Sequence, residues 1–284
     1  MRLSVREGDG FRTLMLGPEG WTEQAAELFT TERCDGIVMQ KATFADLEFL
    51  LPLEPLRMVS LGAATVRDTS ALFEKHALER LTIGLKARDL RGIGRLTGLT
   101  DVSVPFRKGI EELACVSGLR SLSIEEWPSG TDLDVIGKHP QVRQLWLALK
   151  RTAEISSTWF TSAPALEEVS LYSGRLTDTA GLAALTALES LRFADAKVAD
   201  LTFVPGTSRL RSLQLDNSGD VASLEPLRHH PRLAEIRLIG ATRIVDGDMA
   251  PLFDLPQREL IAVEHSYDNY THSAADLRRR FPPH

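Results

Sequence analysis

Leu166-Glu-Glu-Val169-Ser-Leu171-Tyr-Ser-Gly-Arg-Leu176 decides how this chain is read. Its skeleton is L-x-x-L-x-L, and the chain rewrites that skeleton roughly every 22 residues, a period that means stacked supersecondary units. First-position residues are Phe11, Cys34, Leu56, Leu78, Leu99, Leu119, Val142, Leu166, Leu188, Leu210, Leu233 and Arg258. The fourth and sixth positions run from Leu14 and Leu16 to Ile261 and Val263 and are apolar in every copy, although only 43% of the chain is hydrophobic. No copy buries such a face alone, so neighbouring copies must stack on one another.

This pattern, over residues 11–263, resembles the leucine-rich repeat family in its short bacterial class of about 22 residues per repeat. The resemblance implies an α/β solenoid, a right-handed horseshoe or arc. It would have a concave parallel β-sheet, short helical or 3₁₀ convex segments, an N-terminal hairpin cap and a C-terminal helical cap. It further implies a protein-binding scaffold. One departure stands out. Three residues past the sixth position, where the family places Asn or Cys, stand Ala42, Ala64, Gly174, Ala196, Ser218 and Ala241, with larger Lys86, Arg107 and Trp127 elsewhere. The asparagine ladder is missing, which predicts less regular turns.

Length alone suggests about two domains, but the unbroken period predicts one elongated repeat domain over 11–265, of about twelve repeats. A capping strand over 1–10 precedes it and a cap over 266–284 follows. Leu3-Ser-Val5 and Phe11–Leu16 flank a Gly-containing turn, so an antiparallel strand is expected to cover the first repeat's open edge. Thr22 is placed to N-cap a helix carrying Ala25, Leu28 and Phe29 on one face, and Thr271 or Ser273 to cap Ala274–Arg280. The repeat from Val142 to Pro164 is longer than the others and carries Trp159 and Phe160, which predicts a bulge in the outer layer.

Composition narrows the function classes. A net charge of −6 gives no basic footprint for nucleic acid. No apolar run of 18 residues exists to span a membrane, and the charged start lacks a signal peptide's apolar core, so a cytoplasmic protein is expected. Cys34 and Cys115 both occupy places that read as core packing. His76, His139, His229 and His230 fall in return segments just before strands, where polar surface residues are expected. His265, Asp268 and His272 share a loop, but their spacing fits no compact zinc pattern, and Asp246-Gly-Asp248 reads as a plain turn. Neither a phosphate loop nor a G-x-S-x-G elbow occurs. No catalytic residue, metal or cofactor is assigned.

Side chains alternate faces along a strand, so positions three, five and seven face outward on the concave sheet. Position five is small in early repeats (Ser60, Thr82, Ser103, Ser123) and then changes to Trp146, Ser170, Arg192, Gln214 and Arg237. Position seven adds Glu125, Tyr172 and Asp216, and position three adds Glu168 and Glu235. With strands ~4.8 Å apart, Trp146, Tyr172, Arg192, Gln214, Asp216 and Arg237 are expected to form one patch, with Glu125 and Glu168 beside it. Trp, Tyr and Arg dominate protein-binding hot spots. The competing reading is a solvated ion ladder of exposed pairs, each contributing about 0–1 kcal/mol. The expected function is therefore a non-catalytic adaptor, inhibitor or immunity-like protein that binds a protein or peptide on this face. An enzyme using the groove as a substrate platform, and a self-assembling structural protein, are the alternatives.

Overall fold

Each fourth- and sixth-position side chain is no more than 4% exposed, so the repeated apolar pairs form the core that the skeleton required. A computed structural model describes residues 3–62 and 64–281. The expected cap positions Met1, Arg2, Pro282, Pro283 and His284 lie outside the described residues. Two compact units are present. The first runs to Glu125 and includes Val135–His139, and the second comprises Glu126–Asp134 and the chain from Pro140 onward.

In the first unit, Ser4–Gly8 pairs antiparallel with Phe11–Leu16, with Val5 opposite Leu14. Asp9 and Gly10 both have positive φ, +52° and +81°, the twist that suits a two-residue hairpin between right-twisted strands. Parallel strands Gly36–Met39, Met58–Ser60, Arg80–Thr82 and Asp101–Pro105 follow, and Asp101–Pro105 pairs in register with Ser121 to Glu125. The return segments contain 3₁₀ turns at Glu48–Leu50, Ser70–Glu74, Ile93–Arg95 and Ile110–Cys115. Thr22 Oγ1 accepts the Ala25 N–H at 3.2 Å and starts the helix Glu23–Thr31, which buries Ala25 and Phe29.

The second unit stacks Gln144–Leu149, Glu168–Tyr172, Ser190–Ala194, Ser212–Asp216, Glu235–Ile239 and Leu260–Val263 in a parallel ladder without register slip. Of the two candidate caps for the last helix, Ser273 is the one used. Its hydroxyl accepts the Asp276 N–H at 3.1 Å, and the Asp276 carboxylate accepts the Ser273 N–H at 3.0 Å. The helix Ala274–Arg280 buries Leu277 completely and ends with Phe281 against Phe253, ring centroids 5.4 Å apart.

In place of the absent asparagine ladder stands a different one. Asp46, Asp68 and Asp89 in the first unit each accept the backbone N–H two residues on, at 3.1, 2.9 and 2.7 Å. Asp200, Asp246, Ser156 and Ser223 do the same in the second unit. These local side-chain turns bend the chain as it enters a 3₁₀ segment. The Ser70 N–H holds the Asp68 carboxyl below its ordinary value. Trp127, at the turn position, is fully buried and donates from Nε1 to the Thr131 carbonyl at 2.9 Å. At the turn after Leu238 the inward position belongs to Thr242 rather than Ala241, because Ala241 is exposed while Thr242 Oγ1 bonds the Leu215 and Ile239 carbonyls.

Three expectations are corrected. Trp159 and Phe160 do not bulge outward: they are 1% and 0% exposed inside the 3₁₀ turn Thr158–Ser162, and the repeat's extra residues lie in the loop at 150–153. Cys34 is buried, but Cys115 is exposed, because the 3₁₀ turn that turns Ile110 and Leu113 inward leaves Cys115 on its outer side. A thiol reagent is thus expected to label one cysteine rapidly in the native protein and the second only on unfolding. Equal rapid labelling of both would contradict the packing of Cys34.

The third correction concerns His139 and His230, which are 1% and 4% exposed rather than on the surface. His230 Nε2 donates to the Thr207 carbonyl at 3.0 Å, and its Nδ1 accepts the Leu233 N–H at 3.0 Å, so only the neutral ring fits. Burial pushes both imidazoles below the ordinary histidine value, outweighing the bonds to the Ile136 and Thr207 carbonyls that raise them. A depressed folded-state value means that folding favours the neutral ring. That stabilisation is full above the unfolded value of about 6.5 and is lost as pH falls below it. The urea midpoint is expected to drop between about pH 7.5 and 5.5, with a slope of at most about 1.4 kcal/mol per pH unit per histidine. His230→Gln should flatten part of that dependence, and an unchanged slope would exclude His230 as a contributor.

Candidate functional site

The in-register ladder of the second unit places Trp146, Ser170, Arg192, Gln214 and Arg237 in one row across five consecutive strands. A parallel row holds Tyr172, Ala194 and Asp216, and Glu168 stands at position three opposite Gln144 and Ser190. Seven of the eight candidate residues therefore share the outward face of the second unit. Glu125 belongs to the first unit, where it stands opposite Pro105 and its carbonyl accepts the Phe106 N–H at 2.7 Å.

Three of these side chains form a stacked train. The Trp146 and Tyr172 rings lie 4.8 Å apart at 39°, and the Arg192 guanidinium sits 5.2 Å from the Tyr172 ring centre. Such a train keeps flat, amphipathic surfaces half-buried and fixed, at little entropy cost to a partner. Arg192 reaches Asp216 only at 3.9 Å, beyond hydrogen-bond length, and its buried Nε has no hydrogen-bond partner among the described residues. The side chains of Gln214 and Arg237 enter no hydrogen bond or ion pair among the described residues.

The outward arginines of the first unit behave differently. Arg57 bonds Asp35 and Glu79, each at 2.8 Å, and these bonds, Glu79 first, push its guanidinium above the ordinary arginine range. Arg80 meets Asp9 at 3.1 Å and Asp101 at 3.7 Å. Both lie over Phe11, at 5.2 and 5.1 Å. Arg143–Glu167 and Arg211–Glu259 pair likewise in the second unit, so exposed ion pairs of the kind weighed against a binding patch occur in both units, without taking up Arg192 or Arg237. In the second unit the patch arginines are left with spare donors.

The loop histidines do not converge. His265 Nε2 lies 3.7 Å from Glu264, while His272 packs on Phe253 with ring centres 4.6 Å apart. Among the described residues no three His, Cys, Asp or Glu side chains approach closely enough to share a metal, and no helix is long and apolar enough to cross a membrane.

A polar groove of about 720 Å³, which the sequence did not suggest, begins one residue past the outward rows, at Ser173 and Asn217. It is lined also by Arg151, Gly174, Arg175, Asp195 and Lys197. Its signal was the uneven length of the segments that follow the strands.

No protein-family model matches this chain. No curated protein matches it either. Among solved structures, an internalin from Listeria monocytogenes aligns over 77% of this chain and 64% of its own, at 22% identity and a TM-score of 0.63. The chain thus spans less than two thirds of that internalin. A leucine-rich repeat protein from Leptospira interrogans aligns over 94% of this chain and 86% of its own, at 12% identity and a TM-score of 0.43. A plant peptide hormone receptor in complex with RGF2 aligns over 81% of this chain and 36% of its own, at 16% identity and a TM-score of 0.47.

Proposed function

We propose, from the premise that this chain is a leucine-rich repeat solenoid, that it is a non-catalytic scaffold holding a protein or peptide on the concave, outward face of its sheet. One observation carries the reading. Trp146, Tyr172 and Arg192 are stacked in place, while Arg192, Gln214 and Arg237 keep hydrogen-bonding capacity that their own neighbours do not use. Fixed aromatic and arginine side chains with unsatisfied donors are the make-up of interface anchors. Glu168 and Asp216 flank the row and set the orientation of whatever docks there. An adaptor, an inhibitor and an immunity-like protein all use such a face in the same physical way.

The test is a pull-down from host lysate with wild type and a Trp146→Ala, Arg192→Glu variant, circular dichroism first confirming equal folding. A partner held by wild type and lost by the variant supports the reading. A partner held equally by both removes the patch from consideration.

A further inference from the structure

The chain spends residues 148–154 between the core positions Leu147 and Ile155, but only 172–175 between Leu171 and Leu176, and 194–197 between Phe193 and Val198. One long loop followed by two short ones leaves a trough at the C-terminal ends of the strands. Arg151 and Thr152 form its wall, and Gly174, Arg175 and Lys197 its floor. Gly174 keeps the floor low for two reasons. Its φ is +68°, and a Cβ there would sit 2.7 Å from the Ala153 carbonyl oxygen and 2.8 Å from the Leu149 side chain.

The cations of this trough are weakly engaged. The Arg151 side chain has no hydrogen bond or ion pair among the described residues. Arg175 and Glu154 approach only to 3.8 Å, with both side chains about three-fifths exposed, so the pair contributes at most ~1 kcal/mol. Lys197 Nζ donates to the Asn217 carbonyl at 3.3 Å, and Arg175 and Lys197 sit opposite each other in a backbone bridge. Three cations face two carboxylates, Glu154 and Asp195, and Glu154 is shared with Arg175. The excess is positive within a chain whose net charge is −6.

We propose that this groove is a second binding site, for an extended acidic peptide segment whose carboxylates meet Arg151, Arg175 and Lys197. The trough crosses the repeats from Arg151 to Ala241, four strand spacings of ~4.8 Å, which matches about six extended residues at ~3.3 Å each. Thr152, Ser173 and Asn217 supply neutral polar groups along the same line for the peptide's backbone. The inference does not require the concave-face reading, although a long partner could engage both.

The probe is fluorescein-labelled octaglutamate, followed by anisotropy at roughly 50 mM NaCl, with octalysine and a Gly-Ser octamer as controls. The chain's net negative charge opposes non-specific attraction of this probe, so binding reports a local site. Wild type is expected to bind octaglutamate but neither control. Arg151→Glu with Lys197→Glu should weaken binding by about tenfold or more, with circular dichroism unchanged because both side chains are exposed. Trp146→Ala with Arg192→Glu should leave it intact. Absence of binding to wild type up to about 1 mM, equal binding of octalysine, or full binding by the groove variant overturns the proposal. Loss of binding in the concave-face variant alone also overturns it and moves the acidic segment to the sheet face.

Discussion

Gly181→Ala is expected to destabilise the second unit by about 3 kcal/mol or more, among the larger costs a single methyl group inflicts. Gly181 lies in the 3₁₀ turn Ala180–Ala184, against the preceding turn. A Cβ there would lie 1.9 Å from the Ser157 carbonyl oxygen and 2.6 Å from its carbon. Both are backbone atoms, so no rotamer change relieves the clash and the two turns must separate. Separation also breaks the 2.7 Å bond from the Gly181 N–H to Ser157 Oγ, a hydroxyl that in turn donates to Asp178. Leaving these buried groups unpaired adds to the steric cost. Gly118→Ala is the matched control, because its Cβ would come no nearer than 3.4 Å to the Leu99 carbonyl, an ordinary contact. Urea unfolding followed by circular dichroism separates the two. A Gly181→Ala loss below about 1 kcal/mol would mean that the turns are not packed backbone to backbone.

The second large effect concerns recognition. Against the partner captured by wild type, Trp146→Ala with Arg192→Glu is expected to weaken binding by about 100-fold or more, nearly all of it in the dissociation rate. Trp146 offers the largest flat surface of the row, and its loss also removes the ring that Tyr172 leans on at 4.8 Å. Arg192→Glu reverses the charge over the Tyr172 ring and places a carboxylate beside Asp216, whose pairing with Arg192 was already long at 3.9 Å. Neither side chain belongs to the core, so stability should change by less than about 1 kcal/mol. Surface plasmon resonance with the purified partner measures the effect. A change below about fivefold would place the energetic centre of the interface elsewhere.

The apolar skeleton was legible because burial is dictated one repeat at a time. Leu14, Val169 and Ile261 each face the same inward slot whatever happens in the loops. The outward row was legible for the same reason, since the ladder from Trp146 to Arg237 slips nowhere. The side-chain ladder escaped notice because it has no single place or residue type in the repeat. It stands seven residues past the sixth position at Asp46, Asp68 and Asp200, but six at Asp89, eight at Ser223 and nine at Ser156, so a fixed count from the skeleton misses it. Burial of His139 and His230 escaped for another reason. A ring that folds back on its own turn, as His139 does to Ile136, or bonds the preceding repeat, as His230 does at Thr207, leaves no mark in hydrophobic periodicity. The groove was hidden likewise: it arises from differences in length between neighbouring repeats rather than from any residue type.

Those unequal loops have a consequence for how such a chain can change over generations. The loop after Gln144–Leu149 leads to the short outer strand Glu154–Ile155, and the loop after Glu168–Tyr172 to its partner Arg175–Leu176. Both inner and outer pairs stay in register although the loops differ in length. Loop length is thus uncoupled from the hydrogen-bonded frame. An insertion beside the exposed Arg151 would reshape the trough's depth and charge while the paired strands keep their register. Affinity for ligands at this edge is free to drift while the folded frame stays constant, so lineages sharing the skeleton can diverge in what they hold without passing through an unfolded ancestor.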